Sequence, residues 1–177
     1  MMFDDLCVSS EELLKMGVKM AKTEQRVNDF LRGLKTSSGH SLKFDRQLPI
    51  GGCPFVKKGK HKVDFHLQDP ELYIEVKGWM SYASVNELEW LLKYTGKPFY
   101  LLQVTNEDWL DAYDKSKYKS IAKKIAENER IQYDELQQFA AGKLSAKEMA
   151  KRSMDRIEAF KKLRAGDIKR WLATERR

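Results

Sequence analysis

Cysteine is scarce. The 177 residues hold two, Cys7 and Cys53, with no close pair and no metal-type spacing. A disulfide framework and a zinc-ribbon class are thereby set aside, and reduced thiols in a cytoplasmic protein are expected. No apolar run approaches the ~20 residues that a membrane span needs. The opening "MMFDDLCVSSEELLK" carries early acids and no run of signal-peptide length, so neither secretion nor membrane insertion is expected. Internal repeats and low-complexity stretches are also missing.

What is abundant is charge. The net value is +7, and it is unevenly placed: residues 1–110 hold 15 basic and 15 acidic side chains, residues 111–177 hold 18 and 11. The whole excess lies in the last third. A basic appendage on a neutral domain suits a polyanion such as nucleic acid, and a solvated lysine-rich helical tail accounts for it about as well. The expected organisation is an α/β core over 1–110 and a basic helical extension over 111–177 that binds DNA or dimerises.

Periodicity predicts the elements. Ser9 and Glu12 have capping-box spacing, and Lys19 to Leu34 is helical. "SLKFDRQLPI" alternates, with Leu42, Phe44, Leu48 and Ile50 on one face. "KVDFHL" alternates again, Val63, Phe65 and Leu67 opposite Asp64 and His66. "QDPE" is a turn and "LYIEVKGW" the next strand. "SVNELEWLLKYTG" is a helix stopped at Gly96, and "KPFYLLQV" a strand expected to be central. Helices follow, one ending at Gly142 and one opened by the "SAKE" box at Ser145. The order is αβββαβ, then helices.

The chemistry concentrates in "LYIEVKGWM" and the strand before it. Alternate strand side chains share a face, so Glu75 and Lys77 point one way. A tight turn at "QDPE" pairs the two strands antiparallel and brings Asp64 beside them. Two carboxylates repel unless a cation lies between them, and hard oxygen ligands suit Mg²⁺. A lysine beside them can place a water or offset charge on a phosphate; together these are the parts of metal-assisted phosphodiester hydrolysis. Glu24 falls on the apolar stripe of Met20, Val27, Leu31 and Leu34, where a carboxylate is costly unless compensated. The plainer account is a solvated Glu75–Lys77 ion pair worth little, with Glu24 at the stripe's edge.

Asp64 in "KVDFHL", Glu75 and Lys77 in "YIEVKG" and the upstream Glu24 in "KTEQRVNDFL" together resemble the PD-(D/E)xK, or restriction-endonuclease-like, nucleases. The layout is most similar to the phage endonuclease I type of four-way-junction resolvase, although Val63 stands where the motif has proline. The resemblance covers residues 20–105. It implies a restriction-endonuclease-like αβββαβ core with a mixed central sheet, a bacterial or phage-infected host cell, and a homodimer. It further implies that Asp64, Glu75, the Val76 carbonyl and Glu24 hold Mg²⁺, with Mn²⁺ able to substitute, while Lys77 orients the attacking water. The products would carry a 5′-phosphate and a 3′-hydroxyl.

The lysines Lys57, Lys58, Lys60 and Lys62 precede the Asp64 strand and could hold phosphates as a loop tip, or form a solvated turn. In the last helix Lys147, Lys151, Arg152, Arg156, Lys161, Lys162, Lys169 and Arg170 could line a DNA backbone. Met149, Met154, Ile157, Phe160 and Leu163 form its buried or partner-facing side. His61, His66, His40 and Cys53 match no standard zinc spacing, and His66 is expected on the face of Asp64. Gln103 could reach the active site or cap a backbone group. The expected function is a Mg²⁺-dependent DNA endonuclease, with branched DNA such as four-way junctions as substrate. The alternatives are a sequence-specific restriction or homing nuclease, a non-catalytic DNA-binding protein that retains the fold, and an RNA-directed role.

Overall fold

The computed structural model describes residues 22–52, 60–77, 82–104 and 119–175, with side chains described in 22–52, 61–77, 85–104 and 126–162. The elements are α1 (Lys22–Gly33), β1 (Phe44–Gly51), β2 (Lys60–Gln68), β3 (Glu71–Lys77), α2 (Tyr82–Tyr94), β4 (Phe99–Gln103), α3 (Lys119–Ala140) and α4 (Ala146–Glu175). The Ser9 box and most of the lysine-bearing loop between β1 and β2 lie outside the described residues. So do Lys57 and Lys58, together with the side chains of Lys60, Lys169 and Arg170.

The four strands form one mixed sheet in the order β1-β2-β3-β4. β1, β2 and β3 run antiparallel in sequence order, and β3 pairs with β4 in parallel after the α2 crossover. Apolar residues cover both faces. One core gathers Phe65, Leu67, Leu72, Ile74, Val76, Tyr100 and Leu102 against α1 and α3. The other gathers Val63, Tyr73, Phe99 and Leu101 against Val85, Leu88 and Leu91 of α2. A strand buried on both sides reads as a continuous apolar run, as "LYIEV" and "FYLL" do. No helix among the described residues is long and apolar enough to cross a membrane.

Two sequence expectations change here. Leu42 and Phe44 pack in the first core, Leu48 and Ile50 in the second, rather than on one face. Val63 likewise parts from Phe65 and Leu67. The switch falls between Arg46↔Phe65 and Leu48↔Val63 in the β1–β2 register. Gln47 sits there with φ of 54°, a left-handed value that non-glycine residues adopt only under local constraint. One such residue rotates the pleat, so each strand presents its apolar residues to α1 and α3 on one side of that point and to α2 on the other. Asp64 lies between Val63 and Phe65, at the switch.

The second change concerns β4, which is an edge strand rather than a central one. Its outer backbone groups are met by helix side chains. The Leu101 N–H donates to Ser153 Oγ at 2.8 Å. Gln132 accepts from the Gln103 N–H at 2.8 Å and donates to the Gln103 carbonyl at 3.2 Å. An edge closed in this way offers no template for another strand. Met149, Ser153 and Ile157 repeat at four-residue spacing along α4, so one helical stripe passes from the first core, across the sheet edge, into the second. The segment expected as an appendage is thus packed into both cores through Leu136, Phe139, Met149 and Ile157. The Ser145–Glu148 box closes as expected, Ser145 N–H to Glu148 Oε2 at 2.7 Å and Glu148 N–H to Ser145 Oγ at 3.2 Å. Gly142 supplies the left-handed residue that ends α3, with φ of 74°.

Gln132→Ala should strand the Gln103 backbone pair without changing the apolar cores. A loss of about 1–3 kcal/mol is expected for buried groups left unpaired, read as a lower urea midpoint at unchanged slope.

Candidate active site

The β2–β3 ladder runs from Gln68↔Glu71 to Phe65↔Ile74. Beyond it the Val76 N–H donates to Asp64 Oδ2 at 2.8 Å, so a carboxylate takes the place of a ladder carbonyl. Gln47 Nε2 approaches the other oxygen, Oδ1, at 3.3 Å. Asp64 is therefore held from β1 and from β3 at the point where the pleat switches. The tight turn at Asp69 and Pro70 sets the register that brings Asp64 level with Glu75.

Glu75 is 1% exposed. Its Oε1 accepts a hydrogen bond from His61 Nε2 at 2.6 Å, and Lys77 Nζ lies 3.6 Å from its Oε2. The other ring nitrogen of His61, Nδ1, meets Glu87 Oε1 from α2. Glu24 is half-buried on α1, with Arg46 of β1 at 3.6 Å. Asp64, Glu75 and Lys77 thus gather around the β2–β3 split, and Glu24 on α1 interacts electrostatically with Asp64 and Lys77.

Charge at the site is only partly balanced. Burial, then the Asp64 charge, push the Glu24 carboxyl above its ordinary range against the pull of Arg46 and Lys77. Burial pushes Asp64 up, against the Val76 N–H and the Lys77 and His61 charges. Burial also raises Glu75, with the His61 hydrogen bond opposing and the Asp64 charge adding to the rise. Burial alone would lower His61, but its two carboxylate partners overcome this and lift it to about 10. The His61 hydrogen bond, in turn, holds Glu87 below its ordinary range.

Comparisons with known proteins return nothing. No family model, curated protein or solved structure matches this chain. The reading of the site therefore rests on its own geometry. Asp64 and Glu75 supply hard oxygen donors of the kind Mg²⁺ takes. Among the described residues, no group of three or more His, Cys, Asp or Glu side chains is gathered so that it could hold a metal ion. The donor set fits a hydrated hard cation in kind, as two carboxylates, and Glu24 remains turned to Arg46.

The other expected contacts distribute differently. Lys62 is exposed on β2. Arg152 and Arg156 are both committed to Glu135, at 3.0 and 2.7 Å. Lys151 is exposed, 3.9 Å from Asp155. His66 keeps the expected face opposite Phe65 and Leu67, where it stacks on its register partner Tyr73 with ring centroids 4.4 Å apart and faces Glu71 at 3.2 Å. The three histidines stay apart, His40 bonding Ser38 at 2.9 Å. A cavity of about 400 Å³, whose lining includes His40, Lys43, Gln68, Asp69, Pro70 and Ala140, lies at the turn end of the β2–β3 hairpin and contains none of the site residues.

Sequence reasoning missed His61, Glu87 and Gln47. The only early signal for His61 was its place on the Asp64 strand, and nothing in "SVNELEW" distinguishes Glu87 from an ordinary exposed acid.

Proposed function

We propose that this chain is a metal-dependent DNA endonuclease of the PD-(D/E)xK type. The observation that carries the reading is the Asp64 carboxylate drawn between β2 and β3 beside the Glu75–Lys77 pair. Around it lies a mixed sheet with three antiparallel strands and a parallel fourth, flanked by helices. Burial, before any neighbouring charge, lifts the three carboxyls above their ordinary range, and a cation among them would offset that cost.

Asp64 and Glu75 would hold Mg²⁺ or Mn²⁺, with the Val76 carbonyl and Glu24 as further oxygen donors. The cation supplies Lewis acidity at the scissile phosphate and lowers the pKa of a bound water. Lys77 holds the attacking water and offsets charge on the phosphate. Gln47 and the Val76 N–H fix the Asp64 carboxylate in place. Lys62, with Lys57, Lys58 and Lys60, contacts phosphates, and so does Lys151. Binding by such contacts weakens steeply with salt. Arg152 and Arg156 belong instead to the Glu135 pair, with only their outward edges left for DNA. A homodimer acting on a branched duplex is the specific form of this reading.

One observation favours a rival. Glu75 already has a cationic partner in His61, as suits a DNA-binding protein that keeps the fold and not the reaction. The deciding experiment is a cleavage panel in Mg²⁺ or Mn²⁺: supercoiled plasmid, single strand, linear duplex and four-way junction. Lys77→Ala runs beside the wild type. Junction-specific cutting, reduced on the order of a hundred- to a thousand-fold in Lys77→Ala, is expected for loss of a single transition-state charge contact. Cutting at fixed duplex sites would identify a sequence-specific nuclease. Equal inertness of both proteins with DNA binding retained would establish the rival.

A further inference from the structure

Glu75 could in principle offer a cation one oxygen or two, and the structure treats the two unequally. Oε1 is held at 2.6 Å by His61, whereas Oε2 faces Lys77 at 3.6 Å. His61 is itself fixed, because its far nitrogen is engaged by Glu87. Both ring nitrogens face carboxylate oxygens, which only accept, so both donate. His61 is 6% exposed and Glu75 1%, which leaves the pair no solvent in which to rearrange. The clamp spans three elements: Glu87 on α2, His61 on β2 and Glu75 on β3.

We propose that His61, oriented by Glu87, is a positioning residue that restricts Glu75 to one oxygen and thereby sets the site's preference for Mg²⁺ over Ca²⁺. This rests on the endonuclease reading above. The chemical reason is the difference between the two cations. Mg²⁺ demands near-octahedral geometry and is bound through few carboxylate oxygens and several waters, whereas Ca²⁺ takes six to eight oxygens and accepts bidentate carboxylates. A carboxylate with one oxygen tied down serves the first and handicaps the second. Partners of this kind behind a ligand are worth about 10–100-fold in metal affinity.

The test is a ratio, chosen because both ions carry the same charge. Removing the imidazolium changes electrostatic attraction for Mg²⁺ and Ca²⁺ alike, so the effect cancels, while coordination geometry does not. Mn²⁺ binding to the full chain is followed by the electron paramagnetic resonance of free Mn²⁺, and Mg²⁺ and Ca²⁺ are then used separately as competitors. His61→Ala should move the Mg²⁺/Ca²⁺ affinity ratio towards Ca²⁺ by about tenfold. Glu87→Ala should move it in the same direction by a smaller factor. His61→Gln, which can still donate one N–H to Oε1, should recover part of the wild-type ratio. An unchanged ratio in folded His61→Ala overturns the proposal; where that variant does not fold, an unchanged ratio in Glu87→Ala does so. A wild type that binds no Mn²⁺ overturns the endonuclease reading and this inference with it. Wild-type binding with an unshifted ratio overturns only the inference.

Discussion

Asp64→Asn is expected to reduce cleavage about a thousand-fold and yet to leave the fold at least as stable as wild type when no divalent cation is present. The first half follows from the proposed role. A Lewis acid at a phosphate is worth several kcal/mol of transition-state stabilisation, and each 1.36 kcal/mol is a decade in rate. The second half follows from the carboxyl's surroundings. Burial raises Asp64 above its ordinary pKa, so folding favours its neutral form, and its charge at neutral pH works against the folded state. Asparagine is neutral and nearly isosteric. It can still accept from the Val76 N–H, and the Gln47 amide can turn to meet its NH₂. The substitution also removes the like charge that helps to raise Glu24 and Glu75. The stability gain should be largest near neutral pH and shrink as pH falls through the raised Asp64 pKa, where the wild-type carboxyl takes up its own proton. Denaturant melts at several pH values, with and without Mg²⁺, check this. Mg²⁺ should raise the wild-type midpoint by binding the native state and should leave Asp64→Asn nearly unmoved. A variant less stable than wild type without metal would mean that Asp64 is a structural residue.

A stability loss accepted at a functional position is a common pattern, and it explains how much of this site was legible in the sequence. Asp64, Glu75 and Lys77 could be placed together because a short turn fixes antiparallel register by counting outward from Gln68↔Glu71. The αβββαβ order was legible for a similar reason: each element's hydrophobic period is local. The pleat switch was not. It depends on Gln47 adopting a left-handed backbone that its residue type does not announce. As a result Val63 was assigned to the wrong side. The His61–Glu87 contact joins residues on separate elements through side chains alone, and no periodicity encodes it. β4 was misplaced because an apolar run signals two covered faces, which an edge strand also has when helices close its edge. The integration of α4 was hidden by Ser153, a polar residue in an apolar stripe whose hydroxyl meets the β4 backbone.

The largest structural effect is expected at Glu135, where the two last helices are fastened to the sheet. Glu135 is 4% exposed. Its carboxylate accepts from Tyr100 Oη at 2.6 Å, from Arg152 at 3.0 Å and from Arg156 at 2.7 Å. Arg156 also lies over the Tyr100 ring, 5.5 Å from its centroid. Glu135→Ala leaves the Arg156 guanidinium without its carboxylate and the Tyr100 hydroxyl with only the longer contact to the Gln132 carbonyl, at 3.4 Å, and breaking a buried pair from one side costs about 3–5 kcal/mol. The double variant Glu135→Leu with Arg156→Met removes both charges and should recover most of that loss, since paired burial of charge is itself barely favourable. Acid should act in the same direction as Glu135→Ala. Burial would raise the Glu135 carboxyl, but the hydrogen bonds from Arg156 and Tyr100 and the Arg156 charge outweigh it and hold the group below its ordinary range. A depressed carboxyl contributes stability above its unfolded pKa and loses it as pH falls through the folded value. The wild type should therefore lose stability on acidification more steeply than the double variant, as measured by chemical denaturation between neutral pH and the acid limb. Parallel acid limbs would show that Glu135 is not the group that ties α3 and α4 to β4.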